Sequence, residues 1–148
     1  ISSVAYSRDG RRLATMERAR GVTLWDVESE KVASDWRLPA GWVIDVRASF
    51  SPEGTLLALG SRDGPVRLWD VAPGREVAQL EGHQGVSTDV AFHPNGSLLA
   101  STGADGTVRL WDVAKRAQVA VLHGHTDIVW RVTFSISSMS MKDWRISR

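Results

Sequence analysis

The sequence predicts an all-β protein assembled from consecutive four-stranded antiparallel units, and three observations carry that prediction. The pair Trp-Asp recurs at Trp25-Asp26, Trp69-Asp70 and Trp111-Asp112, spaced 44 and 42 residues apart. An aromatic residue recurs upstream at Tyr6, Phe50, Phe92 and Phe134, spaced 44, 42 and 42 residues. The stretch from Phe50 to His83 aligns without a gap on the stretch from Phe92 to His125. Self-similarity at a fixed period marks a repeat architecture, and no window carries a competing helical period.

The elements follow in order from the best-kept copy. Val90 to Phe92 ends a first strand, and His93-Pro94-Asn95-Gly96 is a turn by its Pro and Gly. Leu98 to Ser101 is the second strand, and Ala104-Asp105-Gly106 is a tight turn whose glycine tolerates a positive φ. Val108 to Val113 and Gln118 to Leu122 are short runs rich in valine and other apolar residues and form the third and fourth strands. Four antiparallel strands in roughly 42 residues, repeated, is the pattern of β-propeller blades. The blades fall at about 2–38, 43–80 and 85–122, the first being two residues longer after its Trp-Asp. A spare strand is expected at 128–134. Residues 135–148 have no Pro or Gly turn and no Trp-Asp, and read as a tail foreign to the repeat. Complete propellers have about 4–8 blades, so this chain is expected to be part of a longer, closed ring. Alone, its open blade faces and unpaired edge strand would favour marginal stability or self-association.

The patterns Leu-x-Gly-His, Ser-Pro-x-Gly and Asp-Gly-x-Val-Arg-Leu-Trp-Asp resemble those of the WD-repeat family over roughly residues 2–134. The resemblance implies a hydrogen-bonded tetrad in each blade: a histidine before the first strand, a hydroxyl on the second, the turn aspartate and the Trp of the third. The chemistry is sound, because an indole N–H only donates, a carboxylate only accepts, and an imidazole between them does both. Carried over, the third blade has the full set in His83, Ser101, Asp105 and Trp111. The second keeps Asp63 and Trp69 but has Gly41 and Leu59 at the other two places. The first keeps Thr15 and Trp25, with Ala19 for the aspartate.

Other chemistries meet the same residues. Ser101, His83 and Asp105 also spell a hydrolase triad, but a nucleophilic serine needs an open face and an oxyanion hole, and no Gly-x-Ser-x-Gly elbow is present. The repeat accounts for all three. His123 and His125 lack a third ligand nearby in sequence, and His125 is the repeat's own histidine, so no metal is expected. Asn95-Gly96-Ser97 matches a glycosylation acceptor, yet a turn explains it. No Gly-rich phosphate-binding sequence occurs, and no cofactor is expected. Arginines 8, 11, 12, 18 and 20 are interleaved with Asp9 and Glu17 and read as charged turns.

The resemblance also implies which side chains escape the core. Residues three and five after the histidine, and the one before the turn aspartate, line the narrow mouth of the channel. They are Ile44, Val46, Val86, Thr88, Ile128 and Trp130, with Arg18, Arg62 and Ala104. Trp130, Arg62 and Arg18 stand out as a partner site, with Thr88, Ile44 and Ile128 beside them, because Trp and Arg dominate interface hot spots. The alternative is that Ile44, Val86 and Ile128 are packing residues and the arginines are solvated. Trp36 and Trp42 lie outside the Trp-Asp pattern, around the two-residue insertion. They are either outer-strand or loop aromatics that bind something or, as expected, a cover for the edge of a blade that lost its tetrad.

Composition narrows the function. A net charge of +1 gives no ground for nucleic acid or an anionic membrane as default partner. No apolar run approaches the ~20 residues of a membrane-spanning helix. The absence of cysteine excludes disulfides and thiolate metal sites, and fits a cytoplasmic setting. The expectation is a non-catalytic scaffold for a protein or peptide partner, serving as the recruiting or sensing module of a larger protein. The rival is a propeller enzyme that hydrolyses a small molecule with channel-face residues.

Overall fold

The computed structural model describes residues 1–17, 20–38 and 47–135, together with the backbone of 144–147. Three sheets of four antiparallel strands succeed one another along the chain. The first holds β1 (Ser3–Tyr6), β2 (Arg12–Glu17), β3 (Gly21–Asp26) and β4 (Lys31–Arg37). The second holds β5 (Ala48–Phe50), β6 (Leu56–Leu59), β7 (Val66–Asp70) and β8 (Arg75–Leu80). The third holds β9 (Ser87–Phe92), β10 (Leu98–Gly103), β11 (Val108–Asp112) and β12 (Ala117–Leu122). Within each sheet the strands pair in chain order, the meander of a propeller blade.

Local chemistry repeats with the sequence. The first hairpin of each blade closes through the same backbone bonds. In the third blade the N–H of His93 donates to Leu98 O (2.9 Å), and that of Gly96 to His93 O (2.8 Å). Gly96 has φ +77°, as Gly10 and Gly54 have +72° and +71° at the matching places, a region costly for side chains other than glycine. Each third strand shifts register against the fourth just before its Trp, between Leu24 and Trp25, Leu68 and Trp69, and Leu110 and Trp111. This bulge recurs in all three blades and adds to the local twist.

The core lies between blades. One cluster joins Met16, Val22 and Leu24 of blade 1 to Leu57, Leu59 and Trp69 of blade 2. A second joins Leu68 and Leu80 to Leu99 and Trp111. A third joins Val108 and Leu110 to Val132 and Phe134. The innermost strands β1, β5 and β9 lie side by side and continue into β13 (Arg131–Phe134), so they wall the channel of an unclosed ring. Polar staples fix the spacing. The N–H of Ser61 donates to Ser87 Oγ (2.7 Å), and the N–H of Ser87 donates to Ser61 O (2.9 Å). The buried Asp89 takes the N–H of Val132 in the next unit (3.0 Å).

Two expectations need correction. The strand expected at 128–134 begins only at Arg131. Nor is it left without a partner: it pairs antiparallel with β14 (Trp144–Ser147), inside the segment read as foreign to the repeat. The pairs Phe92–Leu99 and Phe50–Leu57 are seven residues apart, whereas Phe134–Trp144 are ten apart. A longer connection replaces the tight repeat turn and hides the hairpin from the sequence pattern.

Candidate functional site

The third blade brings its four predicted residues together. Trp111, 2% exposed, donates its indole N–H to Ser101 Oγ at 2.8 Å. Ser101 Oγ stands 2.8 Å from His83 Nε2, and His83 Nδ1 stands 3.1 Å from Asp105 Oδ2. One proton arrangement satisfies every member: indole to hydroxyl, hydroxyl to Nε2, and Nδ1–H to carboxylate. It requires neutral imidazole. Burial depresses the His83 pKa against the pull of Asp105, in keeping with that arrangement. Burial alone would raise Asp105. Hydrogen bonds from the N–H of Gln84, the hydroxyl and N–H of Thr107, and His83 outweigh it and hold the carboxyl far below the usual range.

The other blades keep fragments of this network. In blade 1 the indole of Trp25 donates to Thr15 Oγ1 (3.0 Å). In blade 2, Leu59 stands where Ser101 stands, and the buried indole N–H of Trp69 finds no acceptor among the described residues. Asp63 does not extend to Trp69; it is exposed and pairs with Arg67. The compensation is aromatic. Trp36 is buried and stacks on Trp69 with ring centres 5.6 Å apart and planes 12° from parallel. The covering role expected for Trp36 is what the structure shows, but its place is inside the repeat. It pairs with Val22 as Leu80 pairs with Val66 and Leu122 with Val108. Its ring leaves no room at Gly74, where a Cβ would run into the indole nitrogen, so the glycine is required. Trp42, Ile44 and Arg18 lie outside the described residues, as do Gly41, Val46 and Ala19.

At the channel mouth the chain forms a cleft of about 670 Å³, lined by Arg47, Arg62, Arg131 and Trp130 among others. Six residues placed there by the repeat register line it together: Arg62, Val86, Thr88, Ala104, Ile128 and Trp130. Trp130 is 66% exposed and Arg62 is exposed. Thr88 is on the wall but not available: its hydroxyl meets Thr102 Oγ1 (2.8 Å) and donates to Val129 O, stiffening the wall. Arg47 and Arg131 were not singled out from the sequence. The signal was present, since each lies three residues before the recurring aromatic, at the place of Asp89. The buried carboxyl of Asp89 has its pKa raised by burial. The N–H groups of Val132 and Val90 and the charges of Arg47 and Arg131 pull the other way.

Four-stranded sheets in series and a Trp-centred polar tetrad define blades of a β-propeller in an unclosed ring. The family model described as "WD domain, G-beta repeat" matches residues 37–70 and 74–112, and the chain belongs to the WD-repeat family. It is 35% identical over 81 residues to WD repeat and SOCS box-containing protein 1 of Danio rerio, covering 55% of this chain and 18% of that protein. A 38-residue stretch is 55% identical to the probable serine/threonine-protein kinase PkwA of Thermomonospora curvata, covering 26% of this chain and 5% of that protein. Among solved structures, U3-55K superposes with a TM-score of 0.79 at 24% identity, covering 87% of this chain and 41% of that one. The chain thus spans less than half of the relatives it matches.

Proposed function

We propose that this chain is a non-catalytic scaffold that offers the channel-mouth cleft to a protein or peptide partner. The observation that carries the reading is an exposed Trp130 beside Arg62, set on a wall stiffened by the Thr88–Thr102–Val129 contacts. A rigid wall holding a Trp and an Arg lowers the ordering cost of binding and supplies hot-spot side chains. Likeness to a protein named as a kinase supports recruitment for an attached effector domain. The cysteine-free sequence supports a cytoplasmic setting.

The triad reading of Ser101, His83 and Asp105 meets a sealed serine. Ser101 is fully buried, and its oxygen already accepts the Trp111 indole N–H. An attacking hydroxyl needs access to substrate and donors aimed at the developing oxyanion. The test is a displayed random-peptide library selected on the purified chain. Selected peptides are expected to lose binding to Trp130→Ala. Peptides that bind Trp130→Ala as well as the parent would contradict the reading.

A further inference from the structure

We propose that the cleft selects a short acidic segment of its partner, with Arg47, Arg62 and Arg131 facing the segment's carboxylates and Trp130 packing against an apolar side chain among them. The proposal rests on the reading of the cleft as a partner site and specifies the partner's chemistry. The three arginines come from three places in the fold: the entry to β5, the turn before Asp63, and the start of β13. No acidic residue lines the cleft among the described residues. The carboxyl nearest in kind is Asp89, which is buried and accepts the N–H groups of Val90 and Val132. Even fully ionised it offsets one of three positive charges, so a surplus of two faces the solvent side. Arg62 makes no hydrogen bond or ion pair among the described residues, whereas its neighbour Asp63 is engaged by Arg67.

The same arrangement disfavours a nucleic acid. A phosphate backbone gains affinity from many contacts along a continuous basic track. Here the positive charge is confined to a concave mouth with apolar walls at Val86, Ala104 and Ile128. The exposed Asp63 and Asp127 follow Arg62 and precede Ile128 in the chain, so the basic residues of the cleft are not continued by basic neighbours there. A short acidic peptide with one apolar residue satisfies both the charge and the Trp130 face, which is wide enough to cover an aliphatic side chain.

The experiment measures fluorescence anisotropy of a labelled Glu-Glu-Leu-Glu-Glu peptide with the full chain across a salt series. Its Lys-Lys-Leu-Lys-Lys counterpart and an oligouridylate of equal charge run alongside. Melting curves confirm that each variant is folded. Binding of the acidic peptide is expected to weaken with salt and to fall about tenfold or more in Arg62→Glu, because like charges then face each other. Arg11→Glu, at the turn on the opposite end of the blade, should leave binding unchanged. Equal binding by the parent and Arg62→Glu, or no binding of the acidic peptide, overturns the proposal. If library-selected peptides still depend on Trp130, the partner-site reading survives that outcome; if they do not, both fall. Oligouridylate that binds as tightly and displaces the peptide overturns the proposal in favour of a nucleic acid.

Discussion

Replacing Ser101 by alanine removes one oxygen and strands two buried partners. Trp111, 2% exposed, loses the acceptor 2.8 Å from its indole nitrogen. His83 Nε2 loses the hydroxyl that donates to it at 2.8 Å. Each stranded buried group costs roughly 1–3 kcal/mol, and the alanine side chain is nearly the same size, so little packing is lost. The expected loss is about 2–6 kcal/mol. Thr15→Ala in blade 1 is the internal comparison. It strands the Trp25 indole, which is half-buried and can turn to water, and removes a long bond to Thr23 O (3.5 Å), so about 1 kcal/mol is expected. Urea melts of both variants, with the slope of the transition compared to ensure a common unfolding reaction, measure the difference. A Thr15→Ala loss equal to or greater than that of Ser101→Ala would refute the argument that the cost tracks the number of sealed partners.

Three further outcomes follow from the geometry. Trp36→Ala should cost about 3–5 kcal/mol by opening a cavity over Trp69, whereas Trp36→Leu restores the residue of the other blades and should cost less, both read by denaturant melts. The pH profile of stability should fall in two stages on acidification. The folded pKa of His83 is depressed, so its contribution is complete above about 6.5, the unfolded value, and is lost as pH falls below it. Asp105 is depressed likewise, so its contribution is lost as pH falls below the ordinary aspartate value of about 3.9. His83→Leu should remove the upper stage. Asp89 runs in the opposite sense, its raised pKa making the ionised form a burden near neutrality. Asp89→Asn keeps an acceptor for the Val132 N–H but loses the one for Val90, so it should remove the decline in stability that ionisation of Asp89 brings as pH rises, and thermal melts at several pH values check it.

Period and turn chemistry made the blades readable. Trp-Asp positions located β3, β7 and β11, and the glycines at 10, 54 and 96 located the hairpins. The tetrad was readable because its members sit at fixed repeat places, and Leu59 announced the gap at Trp69. Trp36 holds the place of Leu80 and Leu122, but an aromatic where the other blades carry leucine, followed by the two-residue insertion, does not match the repeat pattern. The hairpin of Phe134 and Trp144 was hidden by its longer connection. Ser87 and Asp89 gave no signal of their staples: the alternation of a short strand says which face a residue takes, not which backbone group of the next blade it meets. The cleft was half readable. Arg62 and Trp130 came from the repeat register, whereas Arg47 and Arg131 lie one residue beyond the places the register named.

Under the proposed function, partners meet this chain at the mouth lined by Arg62 and Trp130. Amide hydrogen exchange with and without a library-selected peptide tests it most directly. Protection is expected at the described backbone of Arg62, Val86 to Thr88 and Ile128 to Arg131, with no change at the opposite mouth around Tyr6, Phe50 and Pro94. Protection confined to that opposite mouth, with the Arg62 and Trp130 segments unchanged, would contradict the account.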